Sequence, residues 1–245
     1  MNEHELWLTK LFNVYLAGPA NSALALVKMK AEDPAHPWAN FVTMEILVAV
    51  LIVLLVAAVK SSLSVDKPGK MQHLVEVVYE FLQNTTEEVG LHHGAKYIPY
   101  FGTLFIFILL ANLIGVIPSF ESPTMSPSVP AGLAVMTFLY YNWMGIRALG
   151  VGKYLMQFAG PMPVLAPLMV PIELVSHLAR PMSLTIRLFA NMFAGEQVTM
   201  AFLKLTLLVA PAIFMGLHVF VSLLQAYIFT LLAMIYVSSA VSHEH

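Results

Sequence analysis

Runs of apolar residues divide the chain into segments of membrane length. Val42 to Val59 is nearly unbroken and ends at Lys60. Its roughly 18 residues are close to the minimum for crossing a hydrocarbon core of about 30 Å. Tyr97 to Ile117, closed by Pro118, is a second run, and Val129 to Leu149, with Tyr140, Tyr141 and Trp143 inside it, is a third. These predict three upright spans. Between the first two lies HLVEVVYEFLQ (His73 to Gln83), in which apolar positions 74, 77, 78, 81 and 82 oppose Glu76, Glu80 and Gln83. That spacing predicts an amphipathic helix, within about 72–86, lying along the interface.

The pattern from about Pro171 to about Thr206 reads as helix, roughly 36 residues and therefore about 54 Å long. A core of about 30 Å holds such a rod only at a steep tilt. One oblique helix, bent at Pro181, is expected here. Ala212 to Ala240 predicts a second long helix, and a turn near Leu207 makes the two an antiparallel hairpin. The fold class is therefore an all-α integral membrane protein. It has an N-terminal extracytoplasmic segment (1–40), a region of three spans with the interfacial helix (41–150), and a slanted membrane hairpin (151–245).

Composition agrees: of 245 residues, 59% are hydrophobic and only 11% charged, with a mean hydropathy of +0.78. Soluble domains are far more polar. A formal net charge of -2 without a basic run excludes nucleic acid as a partner. The absence of cysteine excludes thiolate metal sites and cysteine nucleophiles. No HExxH occurs, so His92, His93 and the terminal HEH read as solvated rather than metal-binding. No metal or cofactor is called for. The acidic start, MNEHELWLTK, reads as mature protein rather than a cleaved leader. Lys60, Lys67 and Lys70 follow the first span, and Arg147 and Lys153 surround the end of the third, while SFESPTMSPS has no basic residue. The positive-inside rule puts the N-terminus outside, with Lys28 and Lys30 voting the other way.

The charges inside the hairpin carry the candidate chemistry. On a wheel of about 100° per residue, Glu173, Ser176, Arg180, Ser183 and Asn191 fall within roughly 40° of Arg187. Glu196 lands roughly 180° away, about 13 Å further along the axis. Glu173 shares the stripe but its backbone stands roughly 21 Å from that of Arg187, so Arg187 has no counter-charge within reach on its own helix, and its inferred partner is a carboxylate on another chain. Arginine keeps its proton, so Arg187 acts as a fixed field. Glu196 and His218 can both take up and release protons, and a turn near Leu207 sets them level. His218, Ser222 and Gln225 share one face of the second helix within roughly 40°. Two polar half-paths that do not meet, with an arginine between them, fit ion transfer.

The stretch ELVSHLARPMSLTIRLFANMFAGEQ, followed by HVFVSLLQAYIFTLLAMIYVSSA and preceded by FILLANLIGVIP (Phe107 to Pro118), closely resembles subunit a of rotary F-type ATP synthases. The resemblance extends from about residue 40 to the end, and RLFANMFAGE is its most specific motif. It implies a stator subunit beside a ring of c subunits, held by the b-subunit peripheral stalk, in a bacterial inner membrane with the C-terminus cytoplasmic. Arg187 matches the essential arginine facing the ring carboxylate. Asn191 and Gln225 match its polar neighbours, Glu196 and His218 the outer half-channel, and Glu173 the inner one, with Ser183 on the same stripe. Gly115 departs from relatives that carry an aspartate there. The implied ion is a proton, with sodium the alternative, and no ATP chemistry belongs to this chain, which has no GxxxxGK[ST] loop.

A self-contained ion porter, with Glu173 and Glu196 binding the ion, is a reading from a different class. It lacks an internal repeat and a carboxylate to match Arg187. A membrane hydrolase has no serine or metal constellation behind it. His177, Arg180 and Glu45 read as interface residues.

Overall fold

A computed structural model describes residues 5–26, 33–64, 68–91, 94–117, 120–158, 166–205 and 209–241. Lys28, Lys30, Lys67, Pro118, His92, His93, the terminal HEH and the turn near Leu207 lie outside them. The described residues form eight α-helices and three short 3-10 turns, with no strand. They are α1 (Trp7–Leu26), α2 (Asn40–Ser61), α3 (Lys70–Glu88), α4 (Ile98–Leu113), α5 (Ser128–Leu149), α6 (Val151–Gln157), α7 (Ala166–Leu205) and α8 (Val209–Val241).

Among the described residues, three helical stretches are long and apolar enough to cross a membrane: Asn40–Ser61, Ile98–Val116 and Ile213–Val241. Helix α5 has the length of α2, 22 residues, but Tyr140, Tyr141, Asn142 and Arg147 dilute its apolar character. Its place is set by packing against α7 and α8. The outer face of α2 exposes Val50, Val53, Leu54 and Val56, while Met44 and Val48 are buried. An apolar surface of that kind suits lipid rather than water. The chain is a multi-pass membrane protein.

Local rules explain the boundaries. Pro99 stands in the first turn of α4, where no intrahelical donor is needed. Gly150 ends α5 with a φ of 80°, a conformation open to glycine at little cost, and its N–H donates to Ile146 O at 2.8 Å. The chain thereby re-enters helix at once in α6. Helix α3 carries Leu74, Val77 and Phe81 exposed along one side and buries Leu82, so the helix predicted for this segment is present. Phe81 reaches Phe105 of α4 and Tyr227 of α8.

Helix α7 runs as one element of 40 residues through Pro171 and Pro181. At 1.5 Å per residue it is about 60 Å long, and the 33 residues of α8 make about 50 Å. Both exceed a bilayer core of about 30 Å, so neither fits across it upright. The core lies where this pair meets α4 and α5. Leu184, Leu188 and Met192 of α7 pack with Phe229, Met234 and Val237 of α8, Phe101 and Ile108 of α4, and Tyr141 of α5.

The first forty residues hold a helix that the sequence reading did not foresee. Helix α1 turns its polar residues inward. Thr9 and Asn13 are buried, whereas Trp7, Leu11, Val14 and Tyr15 are exposed. Thr9 Oγ1 meets Thr43 Oγ1 of α2 at 2.8 Å, and Asn13 Oδ1 accepts from Trp38 N at 3.0 Å.

Candidate functional site

The i, i+4 spacing of Leu184, Leu188 and Met192 commits one side of α7 to the core. The stripe of Glu173, Ser176, Arg180, Ser183, Arg187 and Asn191 is thereby turned outward. Ser176, Ser183 and Asn191 are exposed, and Glu173, Arg180 and Arg187 are half-buried. Beside them, Met182 and Ile186 are also exposed. Lipid gives polar groups no partner, so a polar stripe within an exposed apolar surface is ill suited to face hydrocarbon.

Charge pairing along the stripe is uneven. Arg180 Nη2 lies 3.6 Å from Glu173 Oε1, and its guanidinium stands 5.2 Å from the Tyr236 ring centre and 6.0 Å from that of Tyr141. Arg187 makes no ion pair, hydrogen bond or ring contact with any described residue. Glu173 therefore pairs with Arg180. The permanent charge of Arg187 stays uncompensated within the described chain, as the wheel predicted.

Beneath this stripe the hairpin is polar inside. Asn191 Nδ2 donates to Gln225 Oε1 at 2.9 Å, tying α7 to α8 one turn beyond Arg187. On α8, His218, Ser222 and Gln225 are all buried, because this face also carries Phe229, Ala233 and Val237 into the core. Ser222 Oγ donates back to His218 O at 2.7 Å. His218 Nε2 and Gln225 Nε2 have no hydrogen-bond partner among the described residues. Such atoms belong to a polar network rather than to a dry core.

Glu196 and His218 come near each other but do not join. His218 faces Gly195, where an added Cβ would lie 3.4 Å from Nδ1. Together with Asn191, Met192, Val198, Phe214 and Leu217 they line a cavity of about 180 Å³. No hydrogen bond or ion pair links Glu196 to His218. The His218 ring also adjoins the backbone of Asn112 on α4, while Glu196 lies within electrostatic reach of Glu121. Both Asn112 and Glu121 were missed by the sequence reading. Their only early signal is their place near the C-terminal end of the second apolar run.

His177 is buried, with Nε2 2.9 Å from Asn142 Oδ1 and a Tyr141 hydroxyl 3.3 Å away. Phe138 and Phe158 enclose its ring. The sequence reading had it as an interface residue, and the packing of α5 on α7, with Phe158 just after α6 closing over the ring, explains its burial. No group of three or more metal-ligating side chains is found among the described residues.

Comparison with known proteins bears on the whole chain. Residues 41–238 match the family described as ATP synthase A chain. ATP synthase subunit a of Solibacter usitatus is 64% identical over 235 residues, covering 96% of this chain and 100% of that protein. The subunit a of Koribacter versatilis is 49% identical over 99% of both chains. That of Sulfurihydrogenibium sp. is 38% identical over 82% of this chain and 95% of its own. With a family match over most of its length and full-length relatives this similar, the chain belongs to the ATP synthase subunit a family.

Proposed function

We propose that this chain is the ion-conducting stator of the synthase membrane sector, passing protons between two offset half-channels and a ring of c subunits. The observation that carries the reading is Arg187. It is a permanent cation without a partner among the described residues, placed mid-way along a helix too long to stand upright in a bilayer. Holding a charge at such depth costs at least about 2.5 kcal/mol. A carboxylate arriving on a neighbouring ring offsets that cost.

The residues divide the work. Glu196 and His218 form the outer half-path and deliver a proton to the ring carboxylate. Glu173 lines the inner half-path, with Ser183 on the same stripe. Arg187 favours the charged form of the carboxylate it meets, which promotes proton release, and it cannot relay a proton itself. Asn191 and Gln225 hold the hairpin closed behind it. The N-terminus is outside and the C-terminus cytoplasmic, in a bacterial inner membrane, with the b subunit bracing the stator.

The chain contains no cysteine, which makes a disulfide test clean. Ser183→Cys, combined with single cysteines along the outer helix of a c subunit, is expected to cross-link only near mid-helix, at the level of the ring carboxylate. Failure of every pair to cross-link in the assembled complex contradicts the reading. Saturable ion flux through the purified chain alone favours the self-contained porter.

A further inference from the structure

We infer that His177 and Asn142 are positioning residues of the proton path: their hydrogen bond holds the N-terminal part of α7, with Glu173, Ser176 and Arg180, at a set angle to Arg187. The inference rests on the proposed inner half-path and adds to it the residues that aim it.

The hydrogen-bond ladder of α7 has a gap at this place. Pro181 lies inside the helix and has no N–H, so the i→i−4 bond to His177 O is missing. Membrane helices tolerate such a gap where neighbouring groups support it. Beyond Pro181, apolar packing of Leu184, Leu188 and Met192 holds α7. Before Pro181 no such face exists. Among residues 166–183, all of them described, only His177 is buried. It precedes Leu184 by two turns, about 20° away on the helical wheel, so the core face of α7 continues through an imidazole instead of an aliphatic side chain.

An aliphatic residue at this position would bury comparable area, but apolar contact is non-directional. The contacts of His177 have direction. Asn142 Nδ2 donates to Phe138 O at 2.6 Å, and a carbonyl only accepts, which sets the orientation of the amide. Its Oδ1 accepts from His177 Nε2 at 2.9 Å and from the Tyr154 hydroxyl at 2.7 Å. One amide thereby joins α5, α6 and α7. Gly145, next along the same side of α5, makes the arrangement possible, because an added Cβ would lie 2.5 Å from Tyr154 Cε2 and 3.0 Å from Ala240 O of α8.

The hold extends to the charged stripe. The Tyr141 hydroxyl stands 3.3 Å from the imidazole, and the Tyr141 and Tyr236 rings both face the Arg180 guanidinium. Arg180 in turn reaches Glu173. Loss of the His177–Asn142 bond therefore disturbs Glu173 and Arg180, while Arg187 stays with the packed part of the helix.

The test uses disulfide cross-linking in the assembled synthase between α7 and single cysteines along the outer helix of a c subunit. Ser176→Cys reports on the part of α7 before Pro181, and Ser183→Cys on the part after it. His177→Ala, and separately Asn142→Leu, which removes the acceptor at similar size, should spread the Ser176→Cys cross-links over more c-subunit positions and leave the Ser183→Cys pattern as in the parent. His177→Gln keeps an N–H within reach of Asn142 and should restore the Ser176→Cys pattern. Gradient-driven ATP synthesis is expected to fall severalfold in His177→Ala and in Asn142→Leu and to stay within about twofold of the parent in His177→Gln. Combining His177→Ala with Asn142→Leu should add less than about a further twofold. An unchanged Ser176→Cys pattern, equal disturbance at both positions, or a His177→Gln variant no better than His177→Ala overturns the inference and leaves the stator reading standing. Absence of cross-links from both positions in the parental complex overturns that reading itself.

Discussion

Asn191 on α7 donates its side-chain amide to Gln225 on α8 at 2.9 Å, one helical turn from Arg187. The exposed polar stripe and the buried polar face of α8 meet at this bond. It fixes the register of the hairpin one turn beyond the Arg187 guanidinium.

Breaking that bond should cost little stability but much precision. Interhelical hydrogen bonds in membranes average about 0.6 kcal/mol in double-mutant cycles, with a maximum near 1.7. Asn191→Ala and Gln225→Ala are therefore expected to be non-additive by an amount within that range, read from thermal denaturation of the detergent-solubilised complex. Gln225→Ala also empties a buried site and should be the worse of the two for proton flux. Equal and fully additive losses would remove this bond from the account.

Gly195 offers a graded probe of the cavity beside His218. An alanine Cβ there would sit 3.4 Å from His218 Nδ1, close to ordinary contact, so Gly195→Ala should conduct nearly normally. Gly195→Leu must put its branched end into the cavity of about 180 Å³ or displace the imidazole. Overpacking of this kind typically costs about 1–3 kcal/mol. Stopped-flow proton flux in vesicles is expected to fall severalfold for Leu and little for Ala, and a Leu variant as active as Ala would place the path elsewhere.

At Gly115 even alanine is expected to do harm. Its Cβ would collide with Ser122 Cβ at 2.8 Å and crowd the Ser122 backbone nitrogen at 3.1 Å, and backbone yields less readily than the end of a side chain. Gly115→Ala should destabilise the complex by about 1–3 kcal/mol and loosen Thr124 from Asn112. Loss of thermal stability together with slower flux is the expected pair of results. A variant as stable as its parent would show that the loop has room to move.

How far the sequence foretold this arrangement depended on the kind of contact. The spans at Val42 to Val59 and Tyr97 to Ile117 were legible because lipid demands unbroken apolar runs. The outward stripe around Arg187 was legible because helical periodicity is fixed within one element. Helix α1 was hidden by its reversed polarity. Thr9 faces Thr43 of α2 and Asn13 the Trp38 backbone just before it, so apolar residues at the outer face carry no ordinary amphipathic signal, and Gly18 and Pro19 read as helix breakers although the helix runs through them. Glu121 and Asn112 were hidden for another reason. Their neighbours Glu196 and His218 lie far away in sequence, and only tertiary packing of the loop on α7 and of α4 on α8 brings them together. The paired register near Leu207 set Glu196 level with His218, yet periodicity within each helix could not tell that His218 would turn to Gly195.

The most direct test of the central claim is Arg187→Ala in the assembled synthase, with subunit content and ATP synthesis driven by an imposed proton gradient measured on the same vesicles. The account predicts normal amounts of assembled complex and synthesis reduced by at least about 100-fold, on the scale of losing a preorganised charge at a reacting centre. Gradient-driven synthesis persisting at a substantial fraction of the parental rate would contradict it.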